Sequence, residues 1–210
     1  MKKQIFLGAM LLALCLVSGS LTAQAQNTDP DEPNLDTQLY LIVGTNQEVD
    51  DSKLPAVLDP VIRQLRATLP FKNYRLAATL INRVKNEGRV ELSWIGGPLA
   101  SVSGAASGGV SSVTPSFSQF KVRQIKLVRN SENQPIVQML GFNFGARIPI
   151  QVSGAIAANG AVAPTFNYEN TGVATDISMR ESEPVIVGTL NVGPSGDAII
   201  LVVSAKRTQR

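Results

Sequence analysis

Phe120-Lys121-Val122-Arg123-Gln124-Ile125-Lys126-Leu127-Val128 alternates apolar with charged or polar side chains over most of its length. A period of two is the mark of a strand with one face buried and one face wet. Downstream, Asn130-Ser131-Glu132-Asn133-Gln134-Pro135 supplies turn chemistry, and Ile136 to Ile150 is again strand-like. Gly141 and Gly145 inside that run predict bulges or a bend. Ser153 to Gly172 is polar and rich in small residues and reads as a loop. Val173 to Met179, Val185 to Leu190 and Ala198 to Ser204 then read as three short strands of an antiparallel meander, with charges gathered in the turns. With no helical pattern in competition, a β-rich meander or sandwich is expected over 119–205.

Upstream the pattern is mixed. Leu39-Tyr40-Leu41-Ile42-Val43 is a continuous apolar run ending at Gly44, as expected of a strand covered on both faces. Leu54, Val57, Leu58, Val61, Ile62, Leu65 and Leu69 lie on one side of a helix. Asp51 or Ser52 would cap its start, Pro60 would kink or restart it with Asp59 as a second cap, and Pro70 would end it. Tyr74 to Val84 and Val90 to Ile95, separated by Lys85-Asn86-Glu87-Gly88-Arg89, read as a hairpin. The expected fold class is therefore α+β, predominantly antiparallel β: a strand-helix-strand-strand module over 38–97 followed by the β-rich domain. Between them, 98–118 is a Gly/Ser-rich loop or linker that buries too little to offset its ordering entropy. No Gly-Lys-Ser/Thr ending makes it a phosphate cradle.

Composition removes much familiar chemistry. The 210 residues include no histidine and one cysteine, Cys15. That cysteine lies in an N-terminal apolar run, Ile5 to Val17, preceded by Lys2 and Lys3 and followed by Ala23-Gln24-Ala25. This order is that of a secretory signal peptide over 1–25, cleaved after Ala25. Leu14 before Cys15 argues against a lipoprotein site, and the run is too short to span a bilayer as a helix of about 20 residues. The mature chain then has neither His nor Cys, which excludes a His/Cys zinc site, a disulfide, a Cys nucleophile and a Ser-His-Asp triad. No transmembrane span is expected in it. Loss of two of the 19 basic residues brings it close to neutrality against 16 acidic ones, and the rest are dispersed, so nucleic acid is not an expected partner. Residues 26–37 read as a disordered leader and 206–210 as a solvated basic tail.

A strand ending in Ser178-Met179-Arg180, the acidic turn Glu181-Ser182-Glu183-Pro184, then Val185-Ile186-Val187-Gly188-Thr189 and a closing apolar strand form a recognisable series. It resembles the strand-turn-strand in which bacterial secretins carry an acidic-Gly turn before a Val/Ile-rich strand ending in glycine. Ser182 stands where that turn usually has Gly. The helix at Leu54 to Leu69 is similar to those of the small α/β modules in secretin periplasmic regions. The whole pattern, with Leu69-Pro70-Phe71-Lys72-Asn73-Tyr74-Arg75-Leu76 and Arg180 to Gly188, also resembles uncharacterised exported proteins of Gram-negative bacteria. These resemblances imply a periplasmic or secreted envelope location and a β-rich fold, and bring no catalytic residue.

Three functional readings follow. The first is a non-catalytic exported envelope protein, an assembly or interaction module whose partners are other envelope proteins or further copies of itself. The second is a carboxylate-dependent periplasmic hydrolase drawing on Glu87, Glu91, Glu169, Asp176, Glu181 or Glu183. The third is a carbohydrate-binding β domain with Trp94 as its aromatic platform. The first is preferred: no enzyme, no cofactor and no metal are expected, and the candidate interaction residues are Trp94, Glu181 and Glu183.

Overall fold

Ala198-Ile199-Ile200-Leu201-Val202-Val203 has no polar face to offer water, and it is buried on both sides. The structure, a computed structural model, describes residues 33–48, 54–96, 114–156, 162–192 and 196–208. The signal-peptide segment and the capping residues Asp51 and Ser52 lie outside these residues.

Strand β1 (Asn34–Thr45) pairs antiparallel on one side with β2 (Asn73–Lys85) and on the other with β9 (Asp197–Arg207), which pairs with β8 (Val185–Val192). The first sheet thus has the order β2-β1-β9-β8. The second contains β3 (Val90–Gly96), β4 (Ser116–Val122), β5 (Gln124–Arg129), β6 (Pro135–Ile156) and β7 (Val162–Arg180). β4 and β5 run in one register along β6, from Phe117↔Arg147 to Arg129↔Pro135, so they act as a single strand interrupted at Arg123. β3 flanks β4, and β7 flanks β6 on its other side.

The sheets pack face to face. Leu39, Leu41, Ile199, Leu201 and Val203 of the first meet Phe120, Ile125, Met139, Phe142 and Phe144 of the second in one core cluster. A short 3-10 turn (Ala56–Leu58) and helix α1 (Asp59–Thr68) cover the other face of the first sheet. Leu58, Val61, Ile62 and Leu65 there pack with Tyr40, Ile42, Ile200 and Val202. This third layer explains why β1 and β9 are apolar on both faces. The α+β, mostly antiparallel architecture agrees with the sequence reading.

Four local expectations are corrected. Pro60 does restart the helix, but Leu58 rather than Asp59 is its N-cap residue, with no side-chain cap bond; Asp59 lies in the first turn. β2 and β3 do not form a hairpin. The turn between them carries the chain from one sheet to the other, because Asn86 Oδ1 accepts from Leu127 N at 2.8 Å and Gly88 O accepts from Ile125 N at 2.8 Å. The three C-terminal strands do not form one meander, since β7 belongs to the second sheet and β8 and β9 to the first. Finally, Ser153 to Gly172 is no loop over most of its length: pairing between β6 and β7 continues to Ile156↔Val162. Small polar residues occur in paired strands as well as in loops, so composition alone misled there.

Segment boundaries also move. Residues 34–37 of the expected leader and 116–118 of the expected linker are strand, and Lys206 and Arg207 of the tail belong to β9. Gly141 has φ +63° at the irregularity between Met139 and Phe142, whereas Gly145 sits in regular pairing with Gln119 and Gly172. Only the first glycine is the bulge that both were expected to mark.

Candidate functional site

Glu181 and Glu183 lie at the corner where the chain leaves β7 for β8. Glu181 is mostly buried, with a side-chain exposure of 15%, and its carboxylate is fully engaged. Oε1 accepts from the backbone N–H of Arg207 at 2.8 Å and from its Nε at 3.0 Å, and Oε2 accepts from Nη2 at 2.9 Å. The charge-assisted bonds from Arg207 hold the Glu181 carboxyl below the usual glutamate range and raise the Arg207 guanidinium. Ser182 N donates to Ala205 O at 2.8 Å, so the corner is stitched to β9 at two points. Glu181 is therefore a structural clamp between the β7–β8 corner and β9. Glu183 is exposed, and its backbone N donates to Arg180 O at 3.3 Å.

Trp94 faces inward from β3. It packs against the core, with its ring 6.4 Å from that of Phe144. It is partly buried there, and part of it also lines a depression on the sheet. The remaining carboxylates stand apart in separate roles. Glu91 pairs with Lys121 at 2.7 Å, Asp176 Oδ1 accepts from the bulge N–H of Gly141 at 2.5 Å, and Glu87 occupies the β2–β3 corner with φ +63°. Glu169 is exposed on β7. Among the described residues no three His, Cys, Asp or Glu side chains gather as metal ligands would.

Two surface features were not singled out from the sequence. The first is the β6–β7 ribbon. β4 pairs with β6 only as far as Arg147, so among the described residues β6 and β7 continue beyond that point as two strands alone. The second lies on the outward face of the second sheet. Alternation of burial along β3 and β4 turns Ser93, Ile95, Phe117 and Gln119 outward. Register aligns Ile95, Phe117, Arg147 and Asn170 in one row across four strands. The Phe117 and Tyr168 rings are 5.8 Å apart, and the Arg147 guanidinium lies 5.5 Å over Tyr168. Tyr168 donates its hydroxyl to Pro115 O at 3.1 Å. The alternation Phe166-Asn167-Tyr168-Glu169-Asn170 was the sequence signal that could have revealed this strand.

No family model matches the chain. No curated protein matches it in sequence. Solved structures with some likeness are secretin structures from the Salmonella SPI-1 injectisome. The InvG secretin-domain β-barrel aligns at 7% identity and a TM-score of 0.36, over 85% of this chain and 64% of that one. InvG in the open gate state aligns at 8% identity and a TM-score of 0.39, over 99% and 66%. An atomic model of the basal body proteins InvG, PrgH and PrgK gives 8%, 0.33, 99% and 50%. This chain thus spans between half and two thirds of the compared chains, and the likeness is weak. Among the described residues no helix is long and apolar enough to cross a membrane, which says nothing of a β-barrel.

Proposed function

We propose that the chain is a non-catalytic exported protein of the Gram-negative cell envelope, periplasmic or secreted, that works as an assembly or interaction module through its strands. The β6–β7 ribbon carries this reading. A two-stranded ribbon is marginal by itself in water, and its stability calls for a further strand or a packing surface. β7 is the outer strand of its sheet and is mostly exposed from Thr165 to Asp176, so its free backbone groups can receive a strand from a partner. Envelope proteins or further copies of this chain are the partners that fit.

Sedimentation velocity over a wide concentration range, together with cross-linking in a periplasmic extract, tests the reading. Concentration-dependent oligomers, or a discrete envelope protein cross-linked through β7, are expected. A strictly monomeric species with no captured partner would remove it. Mass spectrometry of the exported form should find Gln26 at the N-terminus, and an intact Met1 would replace export with anchoring.

A further inference from the structure

We propose that the outward face of the second sheet binds an acidic oligosaccharide, in a groove laid across the strands. This goes beyond the assembly reading and does not depend on it. Of the large apolar residues exposed among those described, Ile95, Phe117 and Tyr168 converge on this one face, at 69%, 39% and 36% exposure. They are not scattered singly, as surface apolar residues ordinarily are.

The groove is open down to the backbone at Gly145. Ser93, Gln119, Gly145 and Gly172 are aligned across the four strands by register, and a Cβ built at Gly145 would meet nothing within 4 Å. Glycine in a strand interior weakens the strand, and a site of close approach by a ligand is one recognised reason for it. One bank is the row Ile95, Phe117, Arg147 and Asn170, and the depression is lined by Ser93, Gln119 and Gly145 as well. Beyond Gln119 a second depression continues along the same face, lined by Arg89, Glu91, Lys121, Arg123 and Asn143.

The chemistry of this lining selects the occupant. Arg147, Arg89, Lys121 and Arg123 face a single lining acid, Glu91, whose charge Lys121 already matches. The excess is positive, so an anionic ligand is favoured. The Arg147 guanidinium lies over the Tyr168 ring at the edge of this groove, and a guanidinium is the side chain whose N–H donors a carboxylate accepts in pairs. The exposed Phe117 ring, braced from the side by Tyr168, offers an apolar surface to the C–H face of a sugar ring, and the side-chain amides of Gln119 and Asn170 with the Ser93 hydroxyl can exchange hydrogen bonds with ring hydroxyls. A nucleic acid would ask for successive stacking platforms, and the face has one aromatic pair.

The test is calorimetric titration of the mature chain with an oligogalacturonate, with the neutral oligosaccharide of equal length as the control. Binding of the acidic probe is expected, with affinity falling as salt rises. Arg147→Gln should weaken it about tenfold. Gly145→Val is the decisive variant, because its side chain enters open space, suits a strand and fills the groove; it should melt like the wild type and lose binding. Undiminished binding by a folded Gly145→Val protein, equal affinity for the neutral probe, or no binding of either sugar would overturn the proposal. So would preference for an acidic peptide, single-stranded DNA or anionic vesicles over the oligogalacturonate.

Discussion

Replacing Glu181 with Gln keeps the side-chain volume, removes the charge and leaves one acceptor oxygen at the β7–β8 corner. The lost interactions are those of Arg207, whose backbone N–H and guanidinium reach the carboxylate at 2.8–3.1 Å. Hydrogen bonds to a charged group contribute about 1.5–3 kcal/mol, and fully exposed ion pairs about 0–1 kcal/mol. Glu181 is 15% exposed and Arg207 46% exposed, so the pair falls between those limits, and a loss of about 1–2 kcal/mol is expected at pH 7. Urea unfolding at constant m-value measures it. The pH dependence adds a second readout. A carboxyl held below its unfolded value contributes stability that is fully present above the unfolded glutamate pKa of about 4.3 and is lost as pH falls through the folded value. The gap between wild type and Glu181→Gln should therefore close as pH falls below about 4. Asp36, held low by Arg83, and Glu91, held low by Lys121, titrate in both proteins, so only the difference reports on Glu181. Equal stability at pH 7, or a gap that stays constant down to pH 3, would refute the clamp.

Leu65→Ala, at a residue 2% exposed in the helix–sheet seam, should cost about 2–5 kcal/mol; a melting curve like that of the wild type would mean that α1 is not packed as described. Gly44→Ala would place its Cβ 2.7 Å from the Phe71 ring, and the overpacking should cost about 1–3 kcal/mol, read in urea; unchanged stability would show that Phe71 moves aside freely. Ser182→Gly should raise stability by up to about 1 kcal/mol, because Ser182 has φ +67° in the left-handed region; a loss on thermal melting would count against strain there.

Legibility followed what each signal encodes. The β1 run Leu39 to Val43 showed its double burial directly, because a strand between two layers has no polar face. The helical stripe was equally plain, although Val57 is 44% exposed, the 3-10 turn having rotated it off the buried side. Pairing partners were not legible. Nothing local in Lys85 to Arg89 says whether the chain reverses within one sheet or crosses to another, since turn residues serve both. Gly88 and Asn86 settle it by bonding to β5, nearly 40 residues further on. The same long reach hid the candidate sites: the clamp role of Glu181 could not be read locally because its partner, Arg207, lies 26 residues away. The groove on the outward face needed the register of four strands before Ile95, Phe117, Arg147 and Asn170 could be seen as one row.

The two corners where the chain changes sheets share a construction, and it bears on how the ribbon could transmit force. Each holds a non-glycine residue in the left-handed region, Glu87 at φ +63° and Ser182 at φ +67°, and each is bonded to a strand that it does not continue. The chain thus enters the second sheet through a corner fastened to β5 and leaves it through one fastened to β9, while β1 and β9 close the first sheet from opposite ends of the described chain. Such non-local pairing makes folding slow. β7 runs from the ribbon to Arg180, next to the Glu181–Arg207 clamp on the doubly covered β9, so that corner is where a load on the ribbon would reach β9. An assembly module would need such a path, because strands recruited by the ribbon act on the sandwich through that corner. If the ribbon is the partner-binding element, weakening the clamp should leave the affinity of the ribbon for its partner intact and lower the force or temperature at which the bound module unfolds.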